Sequence, residues 1–153
     1  MHALELKVPP VVLLLAAALA MWLAPSAGPD FGLPPVARTA VAPALIAVGA
    51  CLSLAGVASF LRAKTTVNPT KPGSVSSLVT TGVYRFTRNP MYLGLLLMLL
   101  GWAAFLSNAL AFAVVPLSVL YMHRFQIVPE ERALSALFGA EFDAYRTQVR
   151  LWL

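Results

Sequence analysis

The sequence predicts an all-α integral membrane protein with about four transmembrane helices and a C-terminal amphipathic helical segment in the cytosol. Hydrophobic residues make up 59% of the 153 positions and charged residues only 11%, whereas soluble domains contain roughly 25% charged residues. The mean hydropathy is +0.80, and the apolar residues are concentrated in long runs. A separate soluble domain does not fit this length, so one membrane domain, residues 1–153, is expected.

Four apolar runs, each bounded by Pro, Gly, Ser, Asn or charged residues, are interpreted as transmembrane helices. They cover residues 8–24, 41–61, 91–106 and 109–122. The last two are short, because about 16 residues span roughly 24 Å and the hydrocarbon core is about 30 Å thick. We expect them to form a tilted or partly interfacial hairpin that turns at Ser107 and Asn108.

The first run has a second interpretation, as a signal peptide. Lys7 precedes it and small residues follow it at positions 24–27, which is typical of a cleavage site. The remainder of the chain would still be mostly transmembrane after cleavage, and this favours a helix that stays in the protein.

The distribution of basic residues predicts the orientation in the membrane. The loop between the second and third runs contains five basic residues and no acidic one, namely Arg62, Lys64, Lys71, Arg85 and Arg88. The preceding loop, residues 25–40, contains only Asp30 and Arg38 as charged residues. By the positive-inside rule the basic loop is cytosolic, so four spans place both termini of a multi-pass protein in the cytosol. This arrangement explains the net charge of +5 better than nucleic-acid binding does, because no basic stripe lies apart from the apolar runs.

Glycines recur at seven-residue intervals in two of the predicted helices. The pairs are Gly49 with Gly56 and Gly94 with Gly101. Seven residues are about two helical turns, so both members of each pair lie on one face. Small residues on one face allow two helices to pack closely in lipid.

The C-terminal segment, residues 129–153, combines seven charged residues with apolar positions every three or four residues. The apolar positions are Leu134, Leu137, Phe138, Phe142, Tyr145, Val149 and Trp152. This spacing predicts one amphipathic helix, or two short helices broken near Gly139, that lies on the membrane surface or covers a pocket.

Metal and disulfide sites are not expected. Cys51 is the only cysteine, and His2 and His123 are far apart in sequence. No spacing of His, Cys, Asp or Glu matches a metal site.

The first motif that could serve chemistry is LVTTGVYRFTRNPMYLG, residues 78–94. Asn89 is a suitable N-cap and Pro90 suits the first helical position, so this dipeptide by itself indicates a helix start. Tyr84 and Tyr92 could equally be interfacial anchors, and the arginines could be cytosolic topology signals.

The second motif is RFQIVPEE, residues 124–131. Glu130 and Glu131 follow Pro129, where carboxylates interact favourably with a helix N-terminus. In a functional interpretation, a carboxylate here holds an ammonium group and Arg124 holds a carboxylate or phosphate.

Together the two motifs resemble the isoprenylcysteine carboxyl methyltransferase family, including its bacterial relatives and the more distant phospholipid N-methyltransferases. The family pattern is approximately LVTxGxYxxxRHPxYxG, a helical hairpin, a Glu-Glu pair, Phe-Gly and an aromatic tail. Its counterparts here are residues 78–84, residues 88–94, Glu130, Glu131, Phe138, Gly139, Phe142 and Tyr145. The resemblance covers residues 76–153, and the first two helices, within residues 1–62, match only in hydrophobicity.

The resemblance implies a methyltransferase that uses S-adenosyl-L-methionine and acts on a small amphiphilic or lipid-like acceptor at the cytosolic membrane face. The implied cofactor-binding residues are Ser76, Ser77, Leu78, Val79, Tyr84, Arg88, Asn89, Pro90, Met91, Tyr92, Glu130 and Glu131. The implied catalytic candidates are Arg124, Gln126 and Tyr92. The bilayer and the lipid-like acceptor are the expected partners, with no metal and no nucleic acid. The similarity to bacterial members implies a location in the bacterial inner membrane.

Two positions depart from the family pattern. Eukaryotic members have His in place of Asn89, a mild change because both side chains donate and accept hydrogen bonds. They also have an acceptor-binding Arg that corresponds to Gln126. Without that charge a prenylcysteine carboxylate is a poor candidate for the acceptor, unless Arg124 replaces it.

Two other functions remain open from the sequence. Membrane sterol reductases, which use NADPH, have a C-terminal region similar to this family. A non-enzymatic membrane adaptor would use the same motifs only as helix caps and topology signals.

Overall fold

The computed structural model describes residues 5–23, 29–65 and 76–153, and the regular structure within these segments is helical. Its α-helices are α1 (Pro10–Leu23), α2 (Ala42–Arg62), α3 (Pro90–Leu106), α4 (Ala109–Met122), α5 (Val128–Phe138) and α6 (Ala140–Gln148). The all-α prediction is therefore confirmed for these segments. The small residues at 24–27, on which the signal-peptide interpretation depends, lie outside the described residues. So does Lys71, one of the five basic residues of the predicted cytosolic loop.

Two π-helical turns lengthen the helices beyond the predicted apolar runs. One, Ala37–Val41, leads into α2, and the other, His123–Ile127, joins α4 to α5. The resulting helices, Ala37–Arg62 with 26 residues and Ala109–Phe138 with 30 residues, are long and apolar enough to cross a membrane. Their lengths are about 39 and 45 Å, against a hydrocarbon core of about 30 Å. α1 and α3 are apolar but shorter, so four spans remain a prediction.

The helix does not break before Pro129, although the sequence suggested separate elements there. Proline has no N–H, so the Phe125 carbonyl, four residues earlier, receives no α-helical hydrogen bond from it. Instead the backbone N–H of Leu6 donates to that carbonyl at 3.0 Å. The Gln126 side chain donates from Nε2 to the Val8 carbonyl at 2.7 Å. The N-terminal segment thus stabilises the junction between α4 and α5.

The small-residue face predicted for the second and third apolar runs is confirmed as the contact between α2 and α3. A Cβ atom added to Gly49 would lie 2.5 Å from the Gly94 carbonyl oxygen, and one added to Gly101 would lie 2.7 Å from the Ala42 carbonyl oxygen. Ser53 Oγ also donates to the Met91 carbonyl at 3.1 Å. The backbones of the two helices therefore pack directly against each other.

The predicted turn between α3 and α4 is also confirmed. Ser107 adopts a left-handed conformation with φ 53°, and Asn108 Oδ1 accepts hydrogen bonds from the N–H groups of Leu110 and Ala111 at 2.9 and 3.4 Å. At the other end of α3, Asn89 begins the helix, but its side chain makes no capping hydrogen bond. Its Nδ2 donates to the Leu151 carbonyl instead, at 3.2 Å.

α1 packs into the helix bundle rather than standing apart from it. Its buried residues Ala17 and Met21 belong to one core cluster with Leu99 and Ala103 of α3. Many large apolar side chains on the outer faces are exposed, among them Leu15, Leu19, Val48, Leu54, Leu117 and Leu120. Helices that are apolar on both their inner and outer faces suit a lipid environment.

The C-terminal segment forms two short helices, which confirms one of the two predicted alternatives. α5 ends at Phe138, Gly139 adopts φ 50°, and α6 begins at Ala140. A positive φ is readily adopted by glycine, which explains the break at this residue. Phe142 and Tyr145 of α6 are buried, so this helix packs against the bundle.

Candidate active site

A narrow cavity lies where α2 ends and α3 begins, beneath α5 and α6. Its volume is about 50 Å³, enough for only a few water molecules. It is lined by Phe60, Ser77, Leu78, Val79, Tyr84, Arg88, Asn89, Met91, Tyr92, Ile127, Glu130, Glu131, Leu134, Phe142 and Tyr145.

The structure brings ten of the twelve predicted cofactor residues to this cavity. The two exceptions are Ser76 and Pro90. Ser76 donates its N–H to Thr65 Oγ1 at 3.0 Å, and Pro90 is buried in the first turn of α3. The loop before α3 and the start of α5, distant in sequence, therefore meet at one place.

Glu130 and Glu131 have different partners in the cavity. Tyr92 donates its hydroxyl to Glu130 Oε2 at 2.8 Å, and within the described residues Glu130 has no ion-pair partner. Glu131 pairs with Arg88, whose Nη2 lies 2.9 Å from Glu131 Oε1. The cavity thus contains one buried carboxyl group that is not paired with a basic side chain in the described part of the protein.

Arg88 connects the loop before α3 to the C-terminal residues. Its Nη1 donates to the carbonyl oxygens of Val149 at 2.7 Å and Arg146 at 3.0 Å. Its Nε donates to Glu131 Oε1 at 3.0 Å, and its backbone N–H donates to the Arg150 carbonyl at 3.0 Å. The guanidinium is therefore committed to contacts within the protein, which makes Arg88 a positioning residue for the cavity wall.

Tyrosines form much of the aromatic wall. Tyr145 donates its hydroxyl to the Tyr84 carbonyl at 2.7 Å, and the rings of Phe60 and Tyr84 meet edge to face at 5.4 Å. Burial raises the pKa of Tyr84, with a further contribution from the nearby Glu130 charge. Burial also raises the pKa of Tyr145 to about 12. Both side chains are neutral phenols near pH 7.

Of the predicted catalytic residues, Tyr92 lines the cavity but Arg124 and Gln126 do not. Arg124 Nη1 pairs with Glu5 Oε1 at 3.2 Å. Gln126 is fully buried and donates to Val8, while its Oε1 has no hydrogen-bond partner among the described residues. Catalytic roles for these two residues stay predictions, and these contacts give them no added support.

Five lining residues were not predicted as site residues: Phe60, Ile127, Leu134, Phe142 and Tyr145. The apolar spacing in the C-terminal segment places Leu134, Phe142 and Tyr145 among the apolar positions of an amphipathic segment. Because that segment was expected to cover a pocket, the spacing could have predicted them as lining residues. Phe60 and Ile127 lie within apolar helical sequence, where no local feature separates them from their neighbours.

The side chains around the cavity suit an organic cation. A carboxylate balances positive charge, and aromatic faces attract cations. Among the described residues, no group of three or more His, Cys, Asp or Glu side chains is arranged to hold a metal ion.

Comparison with known proteins gives two matches. The family model described as phospholipid methyltransferase matches residues 37–141, which include α2, α3, α4, α5 and thirteen of the fifteen residues that line the cavity. A Haemophilus influenzae protein, described as uncharacterized, is 46% identical over 63 residues, which are 41% of this chain and 100% of that protein. No solved structure shows significant similarity to the chain.

Proposed function

This chain belongs to the phospholipid methyltransferase family, so it is a membrane methyltransferase, and we propose that it transfers the methyl group of S-adenosylmethionine to a small amphiphilic or lipid-like acceptor at the cytosolic membrane face. The observation that supports this proposal most is the Glu130 carboxylate. It lies in a cavity with aromatic walls and has no ion-pair partner in the described residues.

The residues present fit the chemical groups of this cofactor. Glu130 is the candidate partner for its ammonium group, through a charge-assisted hydrogen bond. Tyr84 and Tyr92 offer ring faces to its sulfonium, each worth about 0.5 to 2 kcal/mol by cation–π attraction. Leu78 and Val79 supply apolar wall. A cavity of about 50 Å³ is smaller than a nucleoside-sized molecule, so the residues that line it have to move apart before the cofactor enters.

The protein's part in the reaction is to position the reactants and exclude water. The bound cofactor supplies a methyl group on a positively charged sulfur, which a nucleophile can attack in line with the bond that breaks. Residues of α5 and α6 line one side of the cavity, and we expect them to exclude water from the bound reactants. Holding two reactants in the right orientation can account for about 7 to 11 kcal/mol of rate acceleration, so a dedicated base is not required for an acceptor that is already nucleophilic.

An apolar groove beside the cavity is the candidate position for the acceptor's chain. The groove has a volume of about 220 Å³ and is lined by Pro10, Val11, Ser53, Val57, Met91, Tyr92 and Leu95. Met91 and Tyr92 line both spaces, so the groove and the cavity are neighbours across these two side chains. An acceptor in the groove would have its apolar part among α1, α2 and α3 and its polar end near Tyr92.

The first test is cofactor binding by Glu130→Gln. S-adenosylhomocysteine titrated into detergent-purified protein should bind the variant about tenfold more weakly or worse, because a charge-assisted hydrogen bond contributes about 1.5 to 3 kcal/mol. Isothermal titration calorimetry measures this directly.

Glu141→Gln is the matched control, since it removes the same charge from an exposed position on α6. Equal affinities in the two variants would contradict the role of Glu130. Binding of NADPH in place of S-adenosylhomocysteine would indicate a reductase, and binding of neither would indicate an adaptor.

The second test concerns the groove and uses Val57→Trp. The larger side chain should fill the groove and lower kcat/KM for a long-chain acceptor about tenfold or more, while leaving S-adenosylhomocysteine affinity unchanged. Radiolabelled methyl transfer into membrane lipid extract provides the acceptors and the assay.

Leu54→Trp is the control for the groove, because Leu54 is exposed on the same helix and does not line it. If both tryptophan variants had the activity of the unmodified protein, the acceptor's chain would not occupy this groove.

A further inference from the structure

A second groove lies at the end of the bundle opposite the candidate active site. It is formed by the π turn before α2, the first turns of α2 and the last turns of α3, and its volume is about 710 Å³. Ala42 lines this groove and Phe60 lines the cofactor cavity. The two residues are 18 positions apart in α2, which is about 27 Å along the helix axis. The two sites are therefore separate.

The groove has apolar walls and one charged group at its rim. Its walls include Pro43, Ile46, Trp102 and Phe105, and the Trp102 and Phe105 rings are stacked at 5.5 Å. The charged group is Arg38, whose side chain is exposed.

The Arg38 guanidinium is oriented by the protein but retains free donors. Its Nε donates to the Phe105 carbonyl at 3.0 Å, and within the described residues its two Nη atoms have no hydrogen-bond partner. Asp30, the nearby acidic residue, accepts from the Gly32 N–H and the Ser107 hydroxyl, both at 3.0 Å. Asp30 and Arg38 attract each other electrostatically, but no hydrogen bond or ion pair joins them within the described residues. The Nη atoms of Arg38 can therefore donate to an anionic group beside the apolar groove.

We propose that this groove binds a phospholipid of the bilayer leaflet opposite the cofactor cavity, with the lipid phosphate on Arg38 and an acyl chain along the apolar wall. A guanidinium matches phosphate geometry because it can donate two parallel hydrogen bonds. Trp and Arg together at a helix end are typical of the membrane interface. The lipid is a structural ligand between α2 and α3, distinct from the methyl acceptor, because it lies at the other end of both helices.

Native mass spectrometry of delipidated, detergent-purified protein tests this proposal with three probes. They are short-chain phosphatidylglycerol, short-chain phosphatidylethanolamine and a diacylglycerol of the same chain length. Arg38→Gln should weaken binding of both phospholipids about tenfold or more and leave diacylglycerol binding unchanged, since only the phosphate contact is lost. Arg62→Gln, at the other end of α2, should bind all three probes like the unmodified protein.

Thr39→Trp is the second variant, because it fills the groove without changing the charge or the contact between α2 and α3. It should weaken binding of all three probes. Circular dichroism confirms that each variant retains its helix content. Equal phospholipid affinities for Arg38→Gln and Arg62→Gln, or full binding by Thr39→Trp, would overturn the proposal.

Discussion

Tyr145 shows how one side chain can hold the cover of the cavity in place. Its hydroxyl donates to the Tyr84 carbonyl across 61 positions of sequence, and it joins α6 to the loop before α3. The carbonyl is inside the protein, where an acceptor without a partner costs about 1 to 3 kcal/mol. The same bond depends on the hydroxyl keeping its proton.

Tyr145→Phe should therefore lower the free energy of unfolding by about 1 to 3 kcal/mol at pH 7 and weaken S-adenosylhomocysteine binding. The unmodified protein should also lose stability in alkali. The Tyr145 pKa is about 12 in the folded protein and about 10 in an unfolded chain, so its contribution is complete below pH 10 and is lost as the pH rises towards 12. Thermal unfolding in detergent at several pH values measures both effects.

Thr147→Val on the same helix is the control, because the Thr147 hydroxyl makes only a local bond to the Ala144 carbonyl. If Tyr145→Phe and the unmodified protein lost stability equally between pH 10 and 12, the alkaline sensitivity would have another origin.

Gln126 has a structural explanation that the sequence did not supply. The resemblance implies that this is the position of a missing acceptor-binding charge, and in the structure the side chain is fully buried and donates a hydrogen bond to the Val8 carbonyl. An arginine here would place a charge in this buried position, and a buried charge without a partner is strongly unfavourable. The hydrogen bond from Gln126 accounts for the attachment of the N-terminal segment, and the role of this residue in the choice of acceptor stays a prediction.

At the scale of helices, the contact between α2 and α3 is the most sensitive to added volume. Gly49→Ala should lower the free energy of unfolding by about 1 to 3 kcal/mol, since its new methyl group would overlap the Gly94 carbonyl and force the helices apart. Leu54→Ala, on the exposed side of α2, should change it much less. Thermal unfolding of both variants in the same detergent gives the comparison, and equal stabilities would contradict direct backbone packing.

The elements that the sequence predicted are those specified by neighbouring residues. Apolar runs predict the helices, Ser107 and Asn108 the turn, Gly139 the break, and the glycine spacing the face of contact. The continuous helix through Pro129 was not predictable in this way, because the Phe125 carbonyl that the proline leaves without an α-helical partner accepts a hydrogen bond from Leu6, far away in sequence. The residues next to Pro129 in the sequence do not indicate such a distant partner.

The candidate active site was also predictable only where neighbouring residues specify it. Two short motifs contribute most of the cavity because adjacent residues at a helix start remain adjacent in the fold. Phe60 of α2 completes the cavity wall. In an apolar helix the side that faces a cavity and the side that faces lipid have the same composition, so the sequence does not distinguish them. The position of Phe60 at the cavity can be recognised only from the three-dimensional arrangement of the helices.

At the scale of the whole molecule, both ends of the described chain lie at the same end of the bundle as the cavity. Leu6 contacts Phe125, and Arg88 contacts Arg150, whereas Asp30 contacts Ser107 at the opposite end. Reporter fusions at the C-terminus and next to Asp30 should therefore give opposite signals, with the C-terminus cytosolic as the basic loop predicts. A C-terminal fusion that is active only outside the cytosol would contradict this orientation and the access of a cytosolic cofactor.

The bond between Leu6 and the Phe125 carbonyl has a consequence for biosynthesis. At about 5 to 20 residues per second, the ribosome adds residue 125 about 6 to 24 seconds after residue 6. During that interval the start of the chain, including Glu5, has none of its partners from the α4 to α5 junction. The junction can be completed only after residue 125 has been made, so Leu6 reaches its final position well after α1 has been synthesised.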